Sequence, residues 1–231
     1  FHFGNGSEPQ GIDPHIVTGA PEHHILISLC EGLTIANPNG GTNLPGVAES
    51  WTISEDGKEY IFYLNKNAKW SNGEVMTAND FVWSWMRILT ASLGSQYPDM
   101  LYYLVGAEEY HTGKTNNFDD VGVKAIDDHT LKVNLKSPTP FFLGLLSHYS
   151  TWPVHKETVL KHGTIDDRNG EWTREGNFVC NGPFQLKTWE LNNKIIVEKN
   201  PYYWDASQVK LNEMHFYPVS NVMTEDRMFR S

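Results

Sequence analysis

The chain has 231 residues, of which 39% are hydrophobic and 13% aromatic. This composition excludes an intrinsically disordered chain, which would be poor in aromatic residues, and the length allows one large domain or two small ones. The 28 acidic and 18 basic residues give a formal net charge of −10, which has the wrong sign for neutralising phosphates, so we expect neither nucleic acid nor an anionic membrane as a partner.

The N-terminal part predicts a strand, a helix and a β-meander. A short strand is expected over residues 1–4. Pro21 favours the first turn of a helix. The apolar stripe of that helix consists of Ile25, Leu29 and Leu33. Residues 60–64 alternate in the manner of a strand that follows a tight turn.

The middle of the chain predicts two longer helices, a hairpin and one short helix. Thr77 and Asp80 are spaced as in a capping box, and the apolar residues that follow them recur at helical spacing. A proline at the start of residues 98–113 predicts one helix over that segment, which ends near a glycine. Alternating residues within 123–135 predict a hairpin, and residues 141–146 form a short apolar helical segment.

The last part predicts another hairpin over residues 184–199 and a strand over about 209–217. Thr224 is expected to cap a final helix. Because so short a helix is marginal in water, we expect the natural protein to continue beyond this chain. Hairpins interleaved with amphipathic helices, without strict βαβ alternation, predict an α+β or mixed α/β fold with two sub-domains.

The two cysteines give no motif. Cys30 and Cys180 stand in neither a C-x-x-C pattern nor a metal-ligand spacing. Because disulfide geometry cannot be deduced from sequence separation, a disulfide and two buried thiols both stay open.

The sequence predicts no metal site, no cofactor and no catalytic residue. His23 and His24 are adjacent and would point to different helix faces. Three further histidines are spaced seven apart and are separated by a proline that would interrupt a shared helix: His148, His155 and His162. The adjacent carboxylate pairs lie in polar segments, where a solvated face is expected. The chain also lacks a Gly-x-Ser-x-Gly motif and a phosphate-binding glycine loop.

A long segment over residues 45–85 carries a distinctive pattern. It reads Pro-Gly-Val-Ala-Glu-Ser-Trp at 45–51, Asn-Ala-Lys-Trp-Ser-Asn-Gly at 67–73 and Thr-Ala-Asn-Asp-Phe-Val-Trp-Ser-Trp at 77–85. This pattern resembles the signature of the family 5 extracytoplasmic solute-binding proteins, which include the oligopeptide- and dipeptide-binding proteins of ABC importers. Further matches, in chain order, are at residues 12–15, 31–33, 122–128, 138–142, 181–184 and 198–205.

The resemblance implies a protein of two lobes that enclose a ligand between them, at about twice the length of this chain. The chain then corresponds to a periplasmic-binding-protein-like first lobe, with the second lobe absent. We expect residues 1–36 and 156–231 to form the sheet domain of this lobe. Residues 37–155 would form an inserted α+β sub-domain.

The resemblance also implies a function, and oligopeptide-binding members are the most similar. We expect an extracytoplasmic or periplasmic substrate-binding component of an ABC importer, with or without a lipid anchor, that acts as a monomer and is not an enzyme. Its partners would be an oligopeptide and the membrane permease complex. The same fold could instead bind a dipeptide, nickel, haem or an oligosaccharide, and a peptide or glycan hydrolase is the alternative from another class.

The resemblance assigns ligand-binding positions on this chain. Thr18, Gly19 and Ala20 would present backbone groups to the ligand. Tyr97 would line the cleft, and His148 would border a side-chain pocket. Oligopeptide binders of the family can carry a glutamate where this chain has Thr18, which removes one partner for a positive ligand group.

Overall fold

The computed structural model describes residues 1–230. The strands within this range are β1 (His2–Gly4), β2 (Thr34–Ile35), β3 (Leu44–Pro45), β4 (Ala48–Ile53), β5 (Glu59–Leu64), β6 (Val123–Asp127), β7 (Thr130–Asn134), β8 (Phe184–Glu190), β9 (Lys194–Lys199) and β10 (Glu213–Tyr217). The α-helices are α1 (Ala20–Leu29), α2 (Ala78–Leu89), α3 (Ala107–His111), α4 (Phe142–Leu145), α5 (Lys156–Lys161) and α6 (Val222–Arg230). The expected mixed fold is confirmed. No helix among the described residues is both long and apolar enough to cross a membrane.

Two four-stranded sheets organise the chain. The terminal sheet has the order β1-β10-β9-β8, in which β1 runs parallel to β10 and the other neighbours are antiparallel. The central sheet has the order β4-β5-β7-β6 and is antiparallel throughout. The terminal sheet therefore joins both ends of the described chain, whereas the central sheet is built from one continuous stretch.

The core of the central sheet follows the alternation seen in the sequence. Tyr60, Phe62 and Leu64 of β5 are buried, as a strand with one covered face requires. Helix α2 packs against the sheet, and its apolar side includes the fully buried Phe81 and Trp85. The two predicted elements are confirmed, because the periods of two and 3.6 residues both match the buried side chains.

The first turn of α2 is held by the acidic residue that the capping box predicts. The backbone N–H of Thr77 donates to Asp80 Oδ2 at 2.7 Å. This bond satisfies the N–H of the residue that precedes the helix and fixes where α2 begins.

The predicted single helix over residues 98–113 is wrong. The structure has a 3₁₀ turn over Pro98–Leu101 and then the separate helix α3. Gly106 between them adopts the left-handed region at φ +69°, and a Cβ atom there would lie 2.4 Å from the carbonyl oxygen of Asp120. A continuous helix cannot pass through this conformation. The close approach of the Asp120 backbone to Gly106 therefore separates the 3₁₀ turn from α3.

Two other predicted boundaries shift because of polar side chains. Helix α1 ends at Leu29, and Leu33 lies beyond it, since Asn181 binds both the N–H and the C=O of Glu31 at 3.0 and 2.8 Å. Helix α6 begins before Thr224, because Asn221 Oδ1 accepts the N–H groups of the second and third residues that follow it, at 2.9 and 3.1 Å.

A buried ion pair ties α2 to the N-terminal loop. The guanidinium of Arg87 donates to Asp13 Oδ2 at 2.6 Å and to Oδ1 at 2.9 Å, and its Nε donates to the carbonyl of Ile165 at 3.0 Å. Burial alone would raise the pKa of Asp13, but the attraction of Arg87 and its hydrogen bonds outweigh it and hold that pKa below the ordinary value. Burial and the nearby Arg87 charge lower the pKa of His15 to about 4. This loop therefore carries a permanent internal charge pair and a neutral histidine.

A second buried carboxyl group lies where α1 ends. Glu31 accepts hydrogen bonds from the Tyr203 hydroxyl and from Trp204 Nε1, the latter at 2.8 Å. Burial raises the pKa of Glu31 to about 7 although both hydrogen bonds favour the ionised form. Desolvation prevails here because no cation is paired with this carboxyl group among the described residues.

The structure has two buried free thiols at Cys30 and Cys180. Both belong to the apolar cluster beneath the terminal sheet. Burial raises the pKa of Cys30 well above its ordinary value and that of Cys180 to about 12. Of the two alternatives that the sequence left open, the structure contains the thiols.

Candidate functional site

The turn before α1 exposes backbone groups that the fold does not use. Thr18 and Ala20 are exposed, and Gly19 precedes the helix in an extended conformation. Within residues 1–230, no hydrogen bond engages the N–H or C=O of Thr18, or the N–H groups of Gly19 and Ala20. Unpaired donors and an acceptor on an exposed turn can bind the backbone of another chain.

Gly19 is required here by the position of a buried carboxylate. Glu22 is 5% exposed, and its Oε1 accepts the backbone N–H of Gln10 at 2.7 Å. A Cβ atom on Gly19 would lie 2.0 Å from Glu22 Oε2. A larger residue at position 19 would therefore displace Glu22 and move the turn.

An aromatic cluster lies beside the turn and consists of His23, Tyr97, His148 and Tyr149. The Tyr97 and His148 rings meet edge to face with centroids 5.1 Å apart, and Tyr149 lies 4.2 Å from His148 and 5.6 Å from His23. The Tyr149 hydroxyl donates to the carbonyl of Val17 at 3.1 Å. Because Val17 directly precedes the exposed turn, Tyr149 fixes the turn relative to the cluster.

The rings of the cluster carry polar N and O atoms but no charge. Burial lowers the pKa of both His23 and His148, and each is lowered further by a neighbouring histidine. The backbone N–H of Ser150 donates to His148 Nδ1 at 3.3 Å, which places the proton of the neutral ring on Nε2. Burial and the neighbouring Tyr97 raise the pKa of Tyr149. At neutral pH this surface offers rings and neutral hydrogen-bonding groups.

A groove continues from the turn along the ends of the two parallel strands. Strands β1 and β10 are parallel neighbours, so the loops that follow them leave the sheet at the same end of the strands. Ligands commonly bind outside the carboxyl ends of parallel strands. The groove is lined by Gly4, Asn5, Gly6, Ser7, Ala20, Pro21, His24, Ser220 and Glu225.

The structure brings the expected site residues together from three separate segments. Thr18, Gly19 and Ala20 are connected to Tyr97 and His148 through Tyr149, which no pattern in the sequence indicates. The only available signal was the position of Tyr149 directly after His148. The roles of Thr18, Gly19, Ala20, Tyr97 and His148 in binding stay predictions, because all of these contacts lie within the chain.

His23 was also missed, since the two adjacent histidines gave no metal spacing. They do point in different directions, as expected. The ring of His23 packs against Tyr149, whereas His24 Nδ1 lies 3.2 Å from Asn5 Oδ1.

Comparison with known proteins gives consistent matches over the chain. The family model of the bacterial extracellular solute-binding proteins, family 5 (middle), matches residues 43–231. The periplasmic oligopeptide-binding protein OppA of Escherichia coli is 42% identical over 229 residues, which are 98% of this chain and 40% of that protein. The dipeptide-binding protein DppE of Bacillus subtilis is 36% identical over 232 residues, which are 100% of this chain and 41% of that protein.

Solved structures share the fold. Haemophilus influenzae OppA in complex with RPPGFSPFR matches with a TM-score of 0.91 and 35% identity, over 99% of this chain and 44% of that one. The chain thus spans about two-fifths of the length of the relatives it matches.

Proposed function

The chain belongs to the bacterial extracellular solute-binding proteins, family 5, and on that premise we propose that it forms part of a peptide-binding component of an ABC importer. It binds its ligand without catalysis and delivers it to a membrane permease complex. The protein acts outside the cytoplasm, in the periplasm or at the outer surface of the membrane. Relatives named as periplasmic binding proteins support this location.

The observation that carries the proposal is the set of backbone groups at the start of α1 that are unpaired within the described chain, which are the N–H groups of Thr18, Gly19 and Ala20 and the C=O of Thr18. An extended peptide offers a regular row of N–H and C=O groups, and backbone groups of a protein can bind them regardless of the peptide's side chains. The turn is exposed and also fixed by Tyr149, so little ordering is needed when a peptide binds. The neutral cluster at Tyr97 and His148 then contacts ligand side chains without selecting one charge.

We propose oligopeptides as the ligand class. The solved Haemophilus influenzae relative holds the nine-residue peptide RPPGFSPFR on a fold that matches 99% of this chain. A dipeptide is the second candidate, because DppE of Bacillus subtilis is named as a dipeptide-binding protein.

The division of the chain is proposed to follow the two sheets. Residues 1–36 and 156–231 form the sheet domain, and residues 37–155 form the inserted sub-domain. The strand order supports this division, since the terminal sheet combines β1 with β8, β9 and β10, and the central sheet lies within β4 to β7.

Mass spectrometry of the ligand released on denaturation from the purified peptide-binding component, of which the chain is proposed to form part, tests the proposal. We expect a mixture of peptides longer than two residues. Dipeptides alone would overturn the oligopeptide class, and a sugar, haem or metal in place of peptide would overturn peptide binding. Peptides incubated with the protein should be recovered intact, and turnover that is lost on one carboxylate or serine substitution would indicate a hydrolase.

A further inference from the structure

Three metal-ligating side chains meet at a place separate from the turn and the aromatic cluster. Glu74, His155 and Glu157 each offer one ligand atom, and these atoms all lie within 4.8 Å of one another. Glu74 belongs to the loop between β5 and α2, His155 directly precedes α5, and Glu157 lies in the first turn of α5. The group therefore joins two parts of the chain that are 81 positions apart.

The histidine of this group is buried and held in one orientation. His155 is 3% exposed and packs edge to face on Trp70 with centroids 5.1 Å apart. Its Nδ1 lies 2.7 Å from Thr158 Oγ1. The backbone N–H of Thr158 also donates to Nδ1, at 3.3 Å, so the ring proton lies on Nε2 and faces Glu74. Metal binding requires this proton to leave Nε2, and when it moves to Nδ1 the hydroxyl of Thr158 accepts it.

The carboxylates of Glu74 and Glu157 lie on the solvent side of the His155 ring. Nε2 of His155 lies 2.8 Å from Glu74 Oε2 and 3.6 Å from Glu157 Oε2. The side chains of Glu74 and Glu157 are 60% and 68% exposed, so an ion can reach them from solvent. Among residues 1–230, neither carboxylate forms an ion pair with a lysine or arginine. Two carboxylates side by side match the charge of a divalent cation.

Two of the three distances between ligand atoms are close to those of a zinc site, and the third, between the two carboxylates, is at most 4.8 Å. Zn–N and Zn–O bonds of about 2.0–2.2 Å in a tetrahedral arrangement place neighbouring ligand atoms about 3.3–3.6 Å apart. The His155–Glu157 separation of 3.6 Å meets this requirement. The His155–Glu74 separation of 2.8 Å must widen by less than about 1 Å, which the exposed Glu74 side chain allows.

We propose that Glu74, His155 and Glu157 bind a divalent transition-metal cation, of which Zn²⁺ fits best, with water at the fourth position. This inference departs from the sequence-based expectation of no metal site. The histidine spacing gave no signal, because Glu74 is distant along the chain. The ion would fasten the loop before α2 to the start of α5.

Calorimetric titration of Zn²⁺ into purified protein freed of metal by a chelator tests the proposal. The unsubstituted protein is expected to bind one equivalent at this site. Glu74→Gln and Glu157→Gln should each weaken binding by about tenfold or more, since each removes a ligand. The matched controls Glu171→Gln and His162→Gln, in the same region of the chain, should leave the affinity unchanged.

A cobalt titration provides an independent readout. Co²⁺ at this site should give the visible absorption of a four-coordinate ion, and Glu157→Gln should abolish that absorption. Both glutamates are exposed, so their variants are expected to stay folded. The proposal is overturned if the unsubstituted protein takes up no ion, or if Glu74→Gln and Glu157→Gln bind as tightly as the two controls. Peptide content of the same samples reports on the proposed function separately.

Discussion

The cores beneath the two sheets are built from different interactions. The core of the central sheet is apolar, and elements from one continuous stretch supply most of it, with Phe62, Phe81 and Trp85 fully buried. The core of the terminal sheet combines segments from both ends of the described chain. Polar groups are buried beside it, including the Asp13–Arg87 pair and Glu31.

The difference has a physical consequence. An apolar core loses stability in proportion to the contacts that are removed, and its stability changes little with pH. A buried ion pair stabilises a protein little more than apolar residues in its place would. Removing one partner of the pair is destabilising, because the other charge is left buried and unpaired. We therefore expect the region of the terminal sheet to be the more sensitive of the two to charge-altering substitutions and to pH.

The largest effect is expected from Arg87→Met, which leaves Asp13 buried without its cation. This variant should lower the free energy of unfolding by about 3–5 kcal/mol. The control is Lys132→Met, which breaks the partly exposed pair with Glu59 and should cost at most about 1 kcal/mol. Urea unfolding at pH 7 measures both, and equal losses would remove the distinction between the two regions.

An intermediate effect is expected from Glu31→Gln, and it depends on pH. The folded-state pKa of Glu31 is about 7, above the ordinary value of 4.5, so the folded protein holds a proton that the unfolded chain releases. The contribution of Glu31 to stability is present below about pH 4.5 and is lost as pH rises through 7. Relative to Glu31→Gln, the unsubstituted protein should lose up to about 3 kcal/mol between pH 5 and 8.

His15 makes this comparison necessary, because its lowered pKa has the opposite effect. Its contribution to stability is lost as pH falls from 6.5 towards 4, so the two trends mask each other in the unsubstituted protein. Tyr203→Phe sharpens the test, because it removes a hydrogen bond that favours ionised Glu31 and should raise the pKa of Glu31 further. The loss of stability should then continue to higher pH. A Glu31→Gln difference that is constant between pH 5 and 8 would show that Glu31 does not titrate as described.

The smallest stability effect is expected from a local contact next to the central core. Asp80→Ala removes the acceptor of the Thr77 N–H and should cost about 1 kcal/mol. Asp99→Ala, in an exposed turn, serves as the control and should stay within about 0.5 kcal/mol. Thermal unfolding measures both variants. A loss from Asp80→Ala as large as that from Arg87→Met would mean that local and long-range polar contacts contribute alike.

The same contrast explains what the sequence could predict. Strand β5, helix α2 and the hairpin of β6 and β7 each follow from a local period, and all three are present. The Asp13–Arg87 pair joins positions 74 apart, and no local pattern indicates it. The break at Gly106 was missed for the same reason, because it depends on the backbone of Asp120.

The candidate site was predicted only in part. Thr18 to Ala20, Tyr97 and His148 came from a family resemblance and not from a spacing. Tyr149 escaped notice because its hydroxyl binds the carbonyl of Val17, 132 positions away. A contact across that distance becomes visible only in the folded chain.

The most direct test of the central claim compares the peptide affinity of the purified binding component, of which the chain is proposed to form part, before and after substitution of Tyr97. Calorimetry with a defined oligopeptide should show that Tyr97→Ala weakens binding about tenfold, equivalent to about 1.4 kcal/mol, because a ring of the aromatic cluster is lost. Tyr63→Ala, which removes an exposed ring from the central sheet, is the matched control and should leave the affinity unchanged. Equal affinities for both variants would contradict the assignment of the peptide-binding face to the turn and the aromatic cluster.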